Sequence, residues 1–254
     1  MSDVRPTWST AWVTGASSGL GYALAQRLAE QGTRVAVSAR SADKLASLAA
    51  SNANLLPFPL DVRDTAETQR VAEEVIATIG LPDLVILNAG IGIFKNAARF
   101  DGDAFRTAVE TNVIGIGNAL SAIIPPMVER GSGHIALMGS LASFRGFPRA
   151  AHYAPTKSAV RSLAECLRFD LEDKGIDVTI INPGYVETPL TERVDTPMPG
   201  LMPLEPAVDR ILVGLSKRRY EIAFPWYMEM IVKLGMRVTN FTYFTITRWT
   251  LGRA

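Results

Sequence analysis

In the first third of the chain, short apolar runs alternate with segments whose apolar residues recur every three or four positions, the rhythm of a buried strand followed by an amphipathic helix. Thr10 to Thr14 predicts a strand; the chain then turns at Gly15-Ala16-Ser17-Ser18-Gly19-Leu20-Gly21 and enters a helix whose apolar face continues through Leu24 and Leu28. Further strands are predicted at Arg34 to Ser38, Asn54 to Leu60 and Asp83 to Leu87, with helices at Ala42 to Ala50 and Ala66 to Ile79 between them. The second half predicts a long helix from about Ala104 to Arg130, a strand at His134 to Met138, a helix from about Pro155 to Lys174 and a strand at Asp177 to Ile181. Pro125 and Pro126 are expected to kink or end the first of these helices, because proline lacks the N–H that the helix ladder needs.

Such a βαβ series implies a parallel sheet covered on both faces. The expected fold class is α/β: a single-domain doubly wound Rossmann-type sheet of about seven strands, in the order 3-2-1-4-5-6-7, with helices on both faces. Pro57 and Pro59 cannot donate to a ladder, so the third strand should lie at a sheet edge, which suits that order. Residues 1–254 read as one domain, without repeats or an interdomain linker. Within it, residues 184–206 gather Pro189, Pro197, Pro199, Pro203 and Pro206, the composition of an ordered but movable substrate loop.

Composition narrows the function class. Hydrophobic residues make up 48% and charged residues 20%, which argues against extensive disorder, and a net charge of +1 gives no reason to expect nucleic acid. The lone Cys166 excludes an intrachain disulfide and reads as a small buried apolar residue in a reducing compartment. Met1 to Thr10 holds Asp3 and Arg5 and no signal-like apolar stretch, so a cytoplasmic location is expected. His134 and His152 are the only histidines and no carboxylates cluster around them, so no metal site is expected. His152 next to Tyr153 is given little weight as a proton carrier, since adjacent helical residues diverge.

A glycine turn that opens a helix aims backbone N–H groups and the positive helix end at an anion such as a pyrophosphate. Gly15, Gly19 and Gly21 would permit the tight turn and the close approach. The second strand ends in Ser38-Ala39-Arg40-Ser41 without a carboxylate for a ribose 2′-hydroxyl, and Arg40 offers a planar fork to a 2′-phosphate. The expected cofactor is therefore NADP(H) in preference to NAD(H).

Tyr153 and Lys157 are four residues apart, on one face near a helix start, and Pro155 between them suits a first turn. A nearby ammonium would favour a phenolate. Ser140 follows the strand ending at Met138, at the C-terminal strand end where open α/β folds place their sites. The flanking Met138-Gly139-Ser140-Leu141-Ala142 is no hydrolase elbow, since it lacks the second glycine.

With these residues the chain resembles the classical short-chain dehydrogenase/reductase family up to about Phe224. The resemblance is carried by Thr14 to Gly21, Asn88-Ala89-Gly90, Asn112, Ser140, the Tyr153 to Lys157 pair, and Asn182-Pro183-Gly184 followed by Thr188. It implies a hydride-transferring enzyme with Tyr153 as general acid, Ser140 orienting the carbonyl, Lys157 depressing the tyrosine pKa and binding ribose, and Asn112 holding a water. It also implies that Ser17, Ser18, Leu20, Asn88, Ala89 and Gly90 join the glycines at the cofactor, with Asp61 and Val62 flanking adenine and Pro183, Gly184, Val186 and Thr188 holding the nicotinamide end. Thr156 and Gly139 stand where serine is common in the family.

Eight of the chain's 20 aromatic residues fall between Tyr220 and Ala254, and residues 225–254 form an aromatic extension. Glu229, Lys233 and Arg237 keep its apolar runs too short to span a bilayer. It could cap the substrate pocket, form an oligomer interface or lie as an interfacial membrane helix; packing against protein is the favoured destination. The substrate is expected to be a small apolar carbonyl or alcohol, because Phe144, Phe147, Tyr185, Met198, Leu201 and Met202 sit near the inferred site or its loop. The expected assembly is a homodimer or homotetramer. The competing reading is a non-catalytic NADP(H)-sensing or scaffold protein that meets partners through the aromatic C-terminus.

Overall fold

The computed structural model describes residues 8–193 and 198–251. The call on Met1 to Thr10 therefore lies mostly outside the described residues, as do Pro197 of the proline-rich loop and the end of the aromatic extension. In chain order the first half holds β1 (Thr10–Thr14), α1 (Gly19–Glu30), β2 (Arg34–Ser38), α2 (Ala42–Ala50), β3 (Leu55–Pro57), α3 (Thr65–Ile79) and β4 (Leu84–Leu87). The second holds α4 (Gly102–Val109), α5 (Gly115–Arg130), β5 (Gly133–Met138), α6 (Ala154–Leu171), β6 (Ile176–Pro183), α7 (Leu204–Ser216), β7 (Glu221–Phe224), α8 (Trp226–Arg237) and α9 (Asn240–Leu251). The strands form one parallel sheet in the order β3-β2-β1-β4-β5-β6-β7, with β3 at the edge as its prolines predict.

Strand side chains point alternately to the two faces, and here both faces are dry. Ala11, Val13, Val35, Val37, Leu84 and Ile86 pack with Leu24, Leu28, Leu45 and Ile211 of α1, α2 and α7. Trp12, Ala36, Val85 and Leu87 pack on the other face with Val71, Val75, Ile123 and Val160 of α3, α5 and α6. Helix ends are fixed locally. Asp64 accepts the Glu67 N–H at 2.9 Å at the head of α3, and Asp101 accepts that of Ala104 at 3.0 Å at the head of α4. Gly131, at φ 72°, turns the chain out of α5.

Several expectations need correction. The ladder of β3 stops at Pro57 instead of reaching Leu60, because its only neighbour is β2; Phe58 and Leu60 keep single bonds to Val37 and Ala39. The long helix runs through from Gly102 to Arg130 as expected, with one π-helical turn at Glu110–Ile114 between α4 and α5. Pro125 and Pro126 do not end α5. The carbonyl that Pro125 leaves without a ladder partner belongs to solvent-exposed Ser121, while Ile123 and Met127 hold the opposite face in the core. The helix expected to reach Lys174 closes at Leu171 with a 3₁₀ turn over Glu172–Lys174. Cys166 is exposed, not buried, since the inward stripe of α6 runs through Val160, Ala164 and Leu171.

Among the described residues, the stretch from Gly102 to Arg130 is long and apolar enough to cross a membrane, but half of it is buried in this fold. The aromatic extension folds as α8 and α9 and only partly packs on protein: Tyr243 bonds the Gly146 carbonyl, whereas Trp226, Phe241 and Trp249 stand in solvent. The fully buried Ile123 provides a test of the second core. Ile123→Ala should lower the unfolding free energy by about 2–5 kcal/mol, read as a shifted urea midpoint at unchanged slope.

Candidate active site

The C-terminal ends of β1, β2 and β4 open into a cleft of about 420 Å³. Its floor is the glycine turn. Gly15 and Gly19 take φ of 69° and 57°, a region that side chains strain to enter. A Cβ on Gly21 would collide with the Gly15 carbonyl and the Asn88 amide, so Gly21 lets α1 pack under the turn and does not itself line the cleft. Asn88 Nδ2 donates to the Thr14 and Gly15 carbonyls at 3.0 and 3.2 Å, and Thr14 Oγ1 accepts the N–H groups of Asn88 and Ala89. Ser18 precedes α1 and spends no side-chain bond on capping it. The first N–H groups of α1 thus face a cleft also lined by Ser17, Ser18, Leu20, Ala89 and Gly90, a cradle that fits a pyrophosphate.

One end of the cleft is basic. Arg40 lies there as predicted, joined by Lys44 and Arg63, which sequence reasoning missed, together with Asp61 and Val62. Arg63 grips Asp61 with contacts of 2.6 to 3.1 Å and holds its carboxyl below the usual carboxylate range, with Arg40 adding to the effect. The spacing of Lys44, on the first turn of α2, carried no signal beyond an ordinary solvated lysine.

Behind Gly90, at the other end and without lining the cleft, lie the four residues predicted to act together. Ser140 lies close enough to the Tyr153 phenol to influence its proton, and Lys157 Nζ donates to the Met138 carbonyl at 2.8 Å. The Lys157 ammonium sits 5.8 Å from the centre of the Tyr153 ring. Tyr153 occupies the position just before α6, with Pro155 in the first turn. Asn112 sits in the π-helical turn, a local device that often marks working sites. Its Oδ1 accepts the Ile91 N–H at 2.8 Å, and its Nδ2 donates to the Ile91 carbonyl and to Thr156 Oγ1. Both amide donors are spent, which makes Asn112 a strut between the β4 loop and α6 and leaves a water only its oxygen acceptors.

Two departures from the family pattern find their reason here. Thr156 Oγ1 accepts from Asn112 and donates to the Tyr153 carbonyl at 2.7 Å, tying the strut to the tyrosine backbone. Gly139 is required because a Cβ there would collide with Asn182 Oδ1. That same oxygen accepts the Ser140 N–H at 3.1 Å, while Asn182 Nδ2 donates to Glu221 on β7 at 3.0 Å. Glu221, missed from the sequence, is in turn paired with Lys233 of α8 at 2.6 Å.

The electrostatics differ from the expected picture. Burial pushes the Tyr153 phenol up to about 12, with the Ser140 hydrogen bond only partly opposing it, so the phenol is held neutral instead of being depressed by Lys157. Burial also lowers Lys157, from 10.5 to about 8. His152 takes no part: it is buried against Phe100, with ring centres 4.7 Å apart, and its Nε2 accepts the Asp101 N–H. His134 hydrogen-bonds Thr179, and burial takes it down to about 3. Among the described residues no group of three metal-ligating side chains occurs.

Pro183 accepts a 3.5 Å bond from the Ser140 hydroxyl, and Gly184 and buried Val186 follow it beside the site without lining the cleft; Thr188 lines it opposite Gly19. Phe94, not singled out from the sequence, packs on Tyr153 at 5.1 Å. Phe147 lies elsewhere, lining a separate cavity of about 470 Å³ with Tyr243 and Phe244.

Residues 9–198 match the family model for short chain dehydrogenases. The chain belongs to the short-chain dehydrogenase/reductase family of oxidoreductases. This dehydrogenase is 38% identical over 238 residues to an uncharacterised oxidoreductase of Myxococcus xanthus, covering 92% of this chain and 94% of the relative. A short-chain dehydrogenase from Streptomyces avermitilis superposes with a TM-score of 0.84 at 26% identity, over 95% of this chain and 98% of the other. A gluconate 5-dehydrogenase from Burkholderia cenocepacia, solved with NADP and tartrate, gives 0.76 at 26% identity over 85% and 92%.

The buried ammonium costs this dehydrogenase stability. With Lys157 lowered to about 8, the folded state carries the full cost below that pH and is relieved between about 8 and the ordinary 10.5. Lys157→Met should therefore raise Tm by roughly 3 °C or more at pH 7, a gain that vanishes by about pH 10.5; calorimetry across that range checks the sign.

Proposed function

We propose that this chain is a cytoplasmic, NADP(H)-dependent oxidoreductase that interconverts a carbonyl and a secondary alcohol on an apolar substrate, with Tyr153 as general acid and base. The observation that carries the reading is the convergence of Ser140, the Tyr153 phenol and the buried Lys157 next to the Gly90 end of a cleft that suits a dinucleotide. A bound nicotinamide supplies hydride to the carbonyl carbon in reduction and accepts it in the reverse direction. As charge grows on the carbonyl oxygen, the Ser140 and Tyr153 hydroxyls donate hydrogen bonds to it and Tyr153 gives up its proton. A phenol that burial holds neutral is loaded as an acid for this step. The Lys157 ammonium, which lies behind Gly90 of the cleft, then stabilises the phenolate left behind.

Preference for NADP(H) is supported by the basic cluster of Arg40, Lys44 and Arg63, which suits a 2′-phosphate and leaves Asp61 neutralised by Arg63. The gluconate 5-dehydrogenase neighbour is a relative in fold that was solved with that cofactor. An apolar substrate is supported by buried Phe144 and by Phe94 and Tyr185 near the tyrosine.

Two variants test the reading, with NADPH oxidation followed by absorbance on a panel of aldehydes and ketones. Tyr153→Phe should lower kcat by about 10²–10⁴ while leaving NADPH binding within a factor of about two; undiminished turnover would refute the mechanism. Arg40→Ala should weaken NADPH about 10- to 100-fold and leave NADH nearly unchanged, and equal losses for both would remove the 2′-phosphate assignment.

A further inference from the structure

The helix α8 is amphipathic the wrong way round for a solvated surface. Two of its charged residues are paired against the body, where Lys233 Nζ meets Glu221 and Glu229 at 2.6 Å each. Its outward stripe is Tyr227, Met230, Ile231 and Leu234, at the i, i+3, i+4 and i+7 positions that share one helix face. The last three of these are 62%, 60% and 63% exposed. On α9, Phe241 and Trp249 are 82% and 90% exposed. Ten of the sixteen large hydrophobic residues exposed among the described residues fall between Trp226 and Trp249, so this is a patch and not the usual scatter.

Charge selects the occupant. Residues 226–254 carry Lys233, Arg237, Arg248 and Arg253 against the single acid Glu229, although the whole chain is only +1, so the rest of the molecule is net acidic. Lys233 and Glu229 neutralise each other inside, and Arg237 and Arg248 are left exposed among the apolar side chains. A twofold contact with a second copy would set this cationic segment against itself. Aromatic rings with interspersed arginines instead suit the headgroup level of an anionic bilayer, where rings sit at the acyl boundary and guanidinium groups meet phosphate.

The hairpin is also anchored to the body. Arg145, in the loop after Ser140, donates to the Gly235 carbonyl at 3.2 Å and to Asn240 Oδ1 at 3.1 Å, and lies 4.0 Å above the Tyr243 ring. Tyr243 Oη donates to the Gly146 carbonyl at 2.9 Å. We propose that the α8–α9 hairpin is a docking element that seats this chain on an anionic lipid surface, with the apolar stripe of α8 and the ends of α9 entering the headgroup layer.

The test uses the full-length protein and flotation with vesicles of phosphatidylcholine alone or with about one third phosphatidylserine. The expected result is at least about fivefold more bound protein on the anionic vesicles, falling toward the neutral level as salt is raised to about 0.5 M. Trp226 and Trp249 fluorescence should shift to the blue on binding. The double variant Phe241→Ser/Trp249→Ser removes almost no packing, since both rings stand in solvent, so it should keep its circular dichroism and NADPH binding yet lose flotation. Arg237→Gln/Arg248→Gln should lose the preference for anionic vesicles. Absent flotation on both vesicle types would overturn the proposal, as would flotation unaffected by both double variants; a dimer in solution that the Phe241→Ser/Trp249→Ser variant dissociates would assign the face to a second copy instead.

Discussion

A buried ammonium resting on a strand carbonyl organises this molecule. Lys157 Nζ donates to the Met138 carbonyl at the very end of β5, and so pins the first turn of α6 to the open edge of the sheet. That contact sets where Tyr153 stands relative to Ser140, because Tyr153 immediately precedes α6 and Ser140 follows β5 by one residue. Burying a cation costs stability and removes water from around it, and the same desolvation strengthens every charge interaction that remains. The site is expensive for the fold for the reason that makes it chemically useful.

Around this contact the polar groups are arranged as struts. Asn112 uses both amide donors and its carbonyl oxygen to hold the β4 loop against Thr156, and Thr156 passes the restraint to the Tyr153 backbone. Asn182 does the same for Ser140 from the other side. Each of these amides is buried and satisfied, so rotation of either would strand donors in a dry interior. The Ser140 and Tyr153 side chains therefore inherit their positions from the backbone elements that carry them.

Much of this was legible in the sequence because it is written in local terms. Strand and helix periodicities gave the element order, the prolines at 57 and 59 placed β3 at the edge, and the spacing of Tyr153 and Lys157 brought those two together. What escaped reading is what depends on tertiary surroundings. Pro125 and Pro126 look like helix breakers until Ile123 and Met127 are seen buried opposite them. The Tyr153 phenol looks as if it should be depressed by its neighbour until its depth is known, since desolvation scales with burial that no spacing reveals. Lys44, Phe94 and Glu221 reach the site from separate elements, and nothing in their own neighbourhoods marks them. The outward-facing stripe of α8 has the period of an ordinary core helix, and only its direction in the fold is unusual.

Glu221 joins two parts of the chain that the sequence keeps apart. One oxygen of its carboxylate receives the Asn182 amide that supports the Ser140 backbone, and the other receives the Lys233 ammonium from α8. Trimming the chain after β7 to obtain a less sticky protein would leave that carboxylate with half its partners and a full negative charge, one residue away from the serine's support. The apolar tail and the loop that carries Ser140 are thus joined through one carboxylate.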